Sequence, residues 1–132
     1  MSGWRASQIE ELPSTAPAGF WDEWAREADY GGRWHSVGEQ LGIRGFGVNA
    51  NEADAGRELV VPHTETEYDE QEELYVVVRG RARFTCDGET VELGPGGLLF
   101  VEHAVPREAV AVEDGTLVLC VGGTPGRPYS PS

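Results

Sequence analysis

The first candidates for chemistry lie in one acidic stretch, between positions 65 and 73. The stretch carries six carboxylates and no arginine: Glu65, Glu67, Asp69, Glu70, Glu72 and Glu73. Acidic runs are usually solvated loops, and we assign the acids in the middle of this one to that class. Glu73 differs because it directly precedes the apolar run Leu74–Val78. If it points inward along a strand, alternation puts Tyr75 on the same face.

Glu73 is the first candidate for a proton-transfer residue. A carboxylate inside an apolar barrel has a raised pKa unless a cation offsets it, because burial disfavours the charged form. Such a group is suited to general acid or base catalysis. Tyr75 would be its hydrogen-bonding neighbour, the alternative being a tyrosine that only fills the core.

Short β-strands must position these side chains. Eight runs rich in Val, Leu and Phe predict strands: Ile43–Asn49, Arg57–Pro62, Leu74–Arg79, Arg81–Cys86, Thr90–Leu93, Leu98–Val101, Arg107–Val112 and Thr116–Val121. Turn residues separate the runs, and Asp87-Gly88 is typical of a two-residue hairpin. With almost no helix between them, these strands predict an all-β sandwich or small barrel.

The first 42 residues differ in composition, since all four tryptophans lie there. We predict that residues 1–42 form a helical arm packed on the barrel. Phe20, Trp24 and Ala28 recur at helical spacing and would form its apolar stripe. Such a stripe needs a surface to cover, either on the barrel or on a partner subunit.

A second short helix is predicted where Trp34, Val37 and Leu41 recur, ending at Gly42. His35, inside this arm, is interpreted as a surface or capping residue. The barrel would then occupy residues 43–123. The Pro- and Gly-rich tail, residues 124–132, is expected to run extended over the surface.

Two motifs carry a resemblance to a known family. The stretch Glu73-Leu-Tyr-Val-Val-Val-Arg-Gly80 resembles the end of the first motif of the cupin superfamily, where a metal-binding glutamate precedes a glycine with six residues between them. Gly94-Pro95-Gly96-Gly97-Leu-Leu-Phe-Val resembles the strand that opens the second cupin motif. The resemblance covers about residues 43–122. It implies the double-stranded β-helix, or jelly roll, and a homodimer.

The resemblance also assigns positions to the family's metal ligands. His63 matches the first histidine, Glu65 stands in place of the second, Glu73 is retained, and Arg107 replaces the third. An ungapped count back from Glu73 would instead put residues 67 and 69 at the histidine positions. Most of the metal-binding histidines are substituted on either alignment.

A metal in the family's usual position is therefore not expected. Cupins hold it with three imidazoles and a carboxylate, a set that suits Fe, Mn, Ni, Cu or Zn. Arg107 would place a permanent cation about 4 Å away, and even at an effective dielectric near 20 the repulsion is several kcal/mol. A displaced site remains open, using His63, Glu65, Glu73 and possibly His103, although His103 is also consistent with a solvated loop.

Arg107 itself has two interpretations. Its planar fork could hold an anionic ligand, or it could pair with Glu73 or Glu65. A buried Arg107–Glu73 pair with no ligand is the structural alternative. His63 lies at the strand end that matches a ligand position.

Two functional hypotheses follow. The first is a metal-free pocket that binds a small anionic molecule through Arg107, His63, Tyr75 and Glu65, as a binding module or as an isomerase- or epimerase-like enzyme. The second is a metal-dependent oxygenase or related enzyme using the displaced site. Whether the protein is an enzyme stays open, and a purely structural role is the third possibility.

Charge excludes several other classes of function. The sequence has 23 acidic residues, 10 arginines and no lysine, for a formal charge of −13. Lysine Schiff bases and P-loops are therefore excluded. The acidic excess argues against nucleic-acid and anionic membrane partners, so a small-molecule ligand and a second copy are the expected partners.

The remaining composition suggests a cytoplasmic protein. No apolar run approaches the ~20 residues of a membrane span, and no secretory h-region is visible. Cys86 and Cys120 are interpreted as small buried hydrophobes in a reducing compartment, with a disulfide as the alternative. Strand alternation puts Arg79, Arg81 and Arg83 on one face of the sheet, and we assign this face to solvent or to a subunit contact.

Overall fold

In a computed structural model, residues 3–14 and 32–129 are described, and strands dominate them. The nine strands of these residues are β1 (Arg33–His35), β2 (Gly47–Ala53), β3 (Glu58–His63), β4 (Glu72–Arg79), β5 (Ala82–Cys86), β6 (Glu89–Leu93), β7 (Leu98–Val101), β8 (Arg107–Ala111) and β9 (Thr116–Gly123). A short helix, α1 (Val37–Leu41), follows β1, and a 3-10 turn covers Ile9–Glu11. The all-β prediction is confirmed.

The strands form two antiparallel sheets that enclose the core. The first has the order β1-β2-β9-β4-β7, and the second has the order β3-β8-β5-β6. Inward-facing side chains of both sheets form the main core, which includes Leu59, Tyr75, Val77, Phe84, Val101 and Val118. Burial of these apolar groups is the main force that holds the two sheets together.

The predicted hairpin at Asp87-Gly88 is present and joins β5 to β6. Cys86 pairs with Glu89, so the loop has two residues. Asp87 has φ 52° and Gly88 has φ 82°. Two positive φ values suit a hairpin because the twist of such a turn matches the twist of the flanking strands.

Alternation along β4 also agrees with the sequence prediction. Tyr75 and Val77 are buried, whereas Leu74 and Val78 are exposed on the other face. Glu73 therefore points inward beside Tyr75, as strand geometry requires.

The N-terminal arm needs correction where the structure describes it. The helix predicted over Phe20 to Ala28 lies outside the described residues. The second helix is confirmed only for Val37–Leu41, because Trp34 and His35 belong to β1, which pairs with β2. A three-residue strand is too short to show a period, and its pairing with β2 overrides the helical spacing.

His35 is buried, so its interpretation as a surface residue is wrong. Only 4% of it is exposed, and its Nε2 lies 2.8 Å from Glu52 Oε1. Arg79 Nη2 donates to the other oxygen of Glu52 at 2.6 Å, and Arg79 Nη1 donates to Glu10 at 3.1 Å. This network pairs both oxygens of Glu52, leaves the buried Nδ1 of His35 without a hydrogen bond among the described residues, and connects the N-terminal segment to the first sheet.

A second, smaller apolar cluster lies on the same outer face. Val48 and Leu117 form part of it, and Ile9 and Leu12 of the N-terminal segment pack against it. None of the helices within residues 3–14 and 32–129 has the length and apolar character to cross a membrane.

Candidate functional site

The predicted site residues meet at one end of the barrel, which we call the mouth. His63 ends β3 and lies opposite Arg107, the first residue of β8. Glu73 and Tyr75 lie on β4, where Tyr75 pairs with Cys120 of β9. Because β3 and β8 belong to one sheet and β4 and β9 to the other, the site bridges the two sheets.

Glu73 is the most heavily hydrogen-bonded residue of the site. Its Oε1 accepts from Arg107 Nη1 and from the Tyr75 hydroxyl, each at 2.6 Å. Its Oε2 accepts from the thiol of Cys120 at 3.2 Å. Burial alone would raise the pKa of Glu73, but the charge of His63, 3.8 Å away, and the hydrogen bonds from Tyr75 and Cys120 lower it to about 2.

This pKa contradicts the basis on which Glu73 was first chosen for proton transfer. A group that stays ionised down to about pH 2 is a weak base at neutral pH, because the best general acids and bases titrate near the working pH. The physical reason is that the neighbours donate to Glu73 and thereby favour its charged form, which outweighs desolvation.

Tyr75 is held in place by packing as well as by its hydroxyl. The ring is 2% exposed and lies 5.7 Å from the ring of Phe84, centroid to centroid, across the core. Its hydrogen bond to Glu73 and its place in the core make it a support for the carboxylate.

Arg107 is buried, with 2% exposure, and each of its three nitrogens donates to a protein acceptor. Nη1 bonds Glu73, Nε bonds the carbonyl of Val105 at 2.9 Å, and Nη2 bonds the carbonyl of Glu102 at 2.7 Å. The expected Arg107–Glu73 pair is therefore present, and every nitrogen of the guanidinium already bonds the protein.

His63 is placed so that both ring nitrogens face acceptors. Nδ1 lies 2.7 Å from the carbonyl of Val61, which can only accept a proton. Nε2 lies 3.1 Å from Glu65 Oε1 and 3.8 Å from Glu73 Oε1. Nδ1 therefore carries a hydrogen, and a second hydrogen on Nε2, donated to ionised Glu65, makes the ring an imidazolium.

The pKa of His63 agrees with this geometry. Burial would lower it, but the hydrogen bond to Glu65 and the nearby carboxylate of Glu73 raise it to about 9. Burial has the opposite effect on Glu65, whose pKa it raises. Arg107, Glu73, His63 and Glu65 thus alternate in sign, and we call these four residues the charge chain.

We expect NMR titration of the His63 ring to give a midpoint near pH 9, and the substitution Glu65→Gln to lower it. Since the folded pKa lies above the unfolded value of about 6.5, His63 stabilises the fold fully below that pH, and this contribution is lost as the pH rises through about 9. Glu67→Gln, on the exposed part of the loop, is the control. A midpoint near pH 6.5 that does not change in Glu65→Gln would contradict the ion pair between His63 and Glu65.

The residues do not fit a divalent metal, although the distances allow one. Ligand atoms of His63, Glu65 and Glu73 lie within 4.8 Å of one another. However, Glu73 Oε1 already accepts from two donors, and His63 Nε2 bears a proton. An ion on Glu73 would also lie roughly 4 Å from the Arg107 guanidinium, where repulsion reaches several kcal/mol at an effective dielectric near 20.

His103 lies apart from this cluster. It lies 3.4 Å from the hydroxyl of Thr66 and 3.4 Å from Glu70 Oε2, at the exposed rim. Its backbone carbonyl accepts from the amide of Glu65 at 2.8 Å. Of the two interpretations of His103, the structure favours the solvated loop.

The acidic loop between β3 and β4 borders the mouth. Asp69 and Glu70 have φ values of 61° and 51°, which are uncommon for residues other than glycine. The hydroxyl of Thr124 bonds the carbonyl of Asp69 at 2.6 Å and connects the C-terminal tail to the loop. Glu67 and Asp69 are exposed, so the gapped alignment, with His63 and Glu65, is the one that matches the cluster.

Some contributors to the site were missed from the sequence. Cys120 was interpreted only as a small buried hydrophobe; both cysteines are free thiols, and Cys120 is buried, but its thiol also donates to Glu73. The carbonyls of Val61, Glu102 and Val105 carry no side-chain signal. Cys120 lies opposite Tyr75 only through the β4–β9 register, which the sequence does not specify.

Comparison with known proteins gives a family match and several structural neighbours. A family model described as "Cupin domain" (Cupin_2) matches residues 56–123. Among the curated proteins, no match was found.

Three solved structures illustrate the likeness of fold. A cupin protein from Bacteroides fragilis has a TM-score of 0.61 at 26% identity, over 73% of this chain and 80% of that one. KdgF from Halomonas sp. has a TM-score of 0.60 at 22% sequence identity, over 74% of this chain and 81% of that one. A sugar phosphate isomerase of the cupin superfamily from Silicibacter pomeroyi has a TM-score of 0.64 at 21% sequence identity, over 91% of this chain and 70% of that one.

Proposed function

Since the chain belongs to the cupin superfamily, and its charge chain lies where the sequence resemblance put the family's metal ligands, we propose that it is a metal-free cupin that binds a small molecule at the mouth. The observation that carries the proposal is the bond of 2.6 Å from Arg107 Nη1 to Glu73 Oε1. It satisfies the inner carboxylate with a protein cation, so no metal is needed to neutralise it.

The charge chain divides into a supporting part and a ligand-facing part. Arg107 and Tyr75 are about 2% exposed and are committed to Glu73. The side chains of His63 and Glu65 keep 22% and 11% of their surface accessible. We therefore assign ligand contact to His63 and Glu65, and support to Arg107, Glu73 and Tyr75.

The proposed ligand is neutral and hydroxylated. A ligand hydroxyl that displaces the His63–Glu65 hydrogen bond would accept from His63 Nε2 and donate to Glu65, an arrangement that suits neighbouring hydroxyl groups. An anion is disfavoured because each nitrogen of Arg107 already donates to the protein and the exposed loop beside the mouth carries Glu67, Asp69 and Glu70. This replaces the anionic ligand expected from the sequence.

The same pair supports an isomerase-like activity. Burial raises the pKa of Glu65, and His63 lies 3.1 Å away with a proton on Nε2. A ligand that displaces this hydrogen bond would meet one proton donor and one acceptor, the minimum that proton transfer within a substrate requires. Glu73 would keep the His63 ring oriented and would not exchange protons itself.

Ligand-observed NMR tests the proposed class. The probes are glycerol, myo-inositol, glucose, glucose 6-phosphate and succinate, measured against wild type, His63→Gln, Glu65→Gln and the loop control Glu67→Gln. We expect a neutral member of the set to bind best, with affinity at least about tenfold lower in the first two variants and unchanged in the control. Preference for the phosphate or succinate, or no binding at all, would contradict the proposed ligand.

Elemental analysis tests the metal-free part separately. Protein purified without chelator or affinity metal is expected to contain far less than one Fe, Mn, Ni, Cu or Zn per chain. It should also take up no stoichiometric Zn²⁺ or Mn²⁺ in a calorimetric titration. Near-stoichiometric metal that disappears in His63→Gln would instead favour the metal-dependent enzyme.

A further inference from the structure

The C-terminal tail connects the acidic loop to the start of β2, and we call residues 124–129 the strap. Thr124 directly follows β9, whose last residue pairs with the first residue of β4. A turn then reverses the chain, since the Arg127 amide donates to the Thr124 carbonyl at 3.2 Å. Gly126, inside this turn, has φ +73°. The strap therefore begins beside the loop of residues 64–71 and returns to the sheet.

Tyr129 anchors the far end of the strap on the first residue of β2. An added Cβ on Gly47 would lie 3.0 Å from Tyr129 Oη and 3.2 Å from its Cε1, which is tighter than almost all real Cβ contacts. The ring therefore occupies the space that a side chain at position 47 would need. The ring is half-buried there, and the apolar surface that it loses to solvent stabilises the strap.

The near end of the strap holds the acidic loop by one short hydrogen bond. The Thr124 hydroxyl donates to the carbonyl of Asp69 at 2.6 Å, and Arg127 Nη2 lies 3.5 Å from the same oxygen. Arg127 also lies 3.9 Å from Glu70 Oε1, but both side chains are more than half exposed, and an exposed ion pair contributes little. The hydroxyl of Thr124 is therefore the main connection between the strap and the loop.

This hydrogen bond reaches Glu65 through a single peptide group. The carbonyl of Asp69 and the amide of Glu70 belong to one planar unit, and that amide donates to the carbonyl of Glu65 at 3.1 Å. Tyr68 donates to the same carbonyl at 3.0 Å, and the amide of Glu65 donates to the carbonyl of His103 at 2.8 Å. Rotation of the peptide group between residues 69 and 70 would therefore release one of the contacts that hold the backbone of Glu65.

The loop needs an outside contact because its own conformation is unfavourable. Asp69 and Glu70 have left-handed φ values of 61° and 51°, a conformation that persists where the surrounding structure holds it. Both are exposed, as is Glu67, and their like charges repel one another. A loop that relaxes would carry Glu65 away from His63, whose Nε2 lies 3.1 Å from the Glu65 carboxylate.

We propose that the strap fixes the loop of residues 64–71 beside the mouth, with Thr124 as the positioning residue for Glu65. The inference rests on the proposed function in one respect, that Glu65 is one of the two side chains assigned to ligand contact. In this role the strap acts through the loop and not by touching the ligand. It keeps the Glu65 carboxylate beside His63, so that binding does not first have to order the loop.

Amide hydrogen exchange, measured by NMR on the full chain, tests the strap without any ligand. Thr124→Val keeps the shape of the side chain but loses the hydroxyl, so the amides of Tyr68 and Glu70 are expected to exchange at least about fivefold faster. Thr124→Ser restores the donor and should exchange like wild type. Thr90→Val is the matched control, because it removes a hydroxyl that lies 3.3 Å from the hydroxyl of Thr85 on the other sheet.

Tyr129→Ala tests the far end of the strap and serves as the second variant if Thr124→Val does not fold. Without the ring the strap is fixed at one end only, so the same two loop amides should exchange faster, and unchanged exchange would overturn the anchoring role of Tyr129. The amides of β4 and β9 are the internal reference. A variant that merely lowers the global stability accelerates their exchange as well.

Binding of myo-inositol and glucose, followed by ligand-observed NMR, tests the positioning role. A probe that binds wild type should bind Thr124→Val at least about fivefold more weakly, because the loop must then be ordered during binding. The affinity of Thr124→Ser and of Thr90→Val should equal that of wild type.

Two results would overturn the inference. Equal exchange of the Tyr68 and Glu70 amides in wild type and Thr124→Val would mean that the strap does not hold the loop, whether or not a probe binds. Faster exchange with unchanged affinity would mean that Thr124 does not position Glu65 for the ligand. If neither probe binds wild type, the proposed function fails separately, and the exchange rates still decide whether the strap holds the loop.

Discussion

Replacement of Arg107 by methionine is expected to lower the free energy of unfolding by about 3–5 kcal/mol, because it leaves Glu73 buried without its cation. The guanidinium is 1% exposed and bonds Glu73 at 2.6 Å. The carbonyls of Glu102 and Val105 would also lose their donor. Urea unfolding at pH 7, monitored by circular dichroism, measures the loss.

A double-mutant cycle separates the ion pair from general disruption of the core. Arg107→Met combined with Glu73→Gln removes both charges, so it should recover part of the stability that Arg107→Met loses alone. Wild-type Glu73 has a depressed pKa of about 2. Its stabilising effect is therefore complete above about pH 4.5 and is lost as the pH falls toward 2. Equal losses in the single and double variants would mean that the charges are not coupled.

Replacement of Gly80 by alanine is expected to cost about 3 kcal/mol, the second large effect. Gly80 has φ +77°, which disfavours any side chain, and an added Cβ would lie 2.7 Å from the Cα of Thr116. Thr116 is fully buried, and its hydroxyl bonds Glu113 and Arg81. Overpacking against fixed backbone adds to the cost of the left-handed conformation.

Gly88→Ala is the matched control for this prediction. Gly88 has nearly the same φ, +82°, but nothing lies within 4 Å of an added Cβ. The variant should therefore lose only the conformational cost, about 1–2 kcal/mol. If the two variants unfold at the same urea concentration, the contact with Thr116 is not the cause.

The strands of residues 57–123 could be predicted from the sequence because turn residues mark their ends. Asp87-Gly88 and Gly94–Gly97 separate apolar runs whose alternation has a period of two, and this local signal is sufficient. The start of the barrel could not be read in the same way. β2 runs over Gly47–Ala53 and not Ile43–Asn49, because its extent follows the pairing with the distant strand β9, which no local pattern marks.

The site could be predicted in membership but not in protonation. His63, Glu65, Glu73 and Arg107 do come together, since the alignment with the family fixes their strand positions. The protonation states depend on the carbonyl of Val61 and on other groups whose positions no pattern in the sequence predicts. The sequence predicts a raised pKa for Glu73 only if no cation offsets its burial, and the groups around it lower the pKa.

The charge chain has a consequence for how the protein responds to ionic strength. The two positive and two negative side chains of the charge chain lie next to one another, and their charges sum to zero. Their combined electric field therefore decays with distance faster than that of a single ion. Dissolved salt has little to screen there. The acidic loop at the mouth is exposed, and its field is damped beyond about 8 Å at physiological salt. Added salt should therefore alter the rate at which charged molecules approach the mouth while leaving the internal arrangement unchanged.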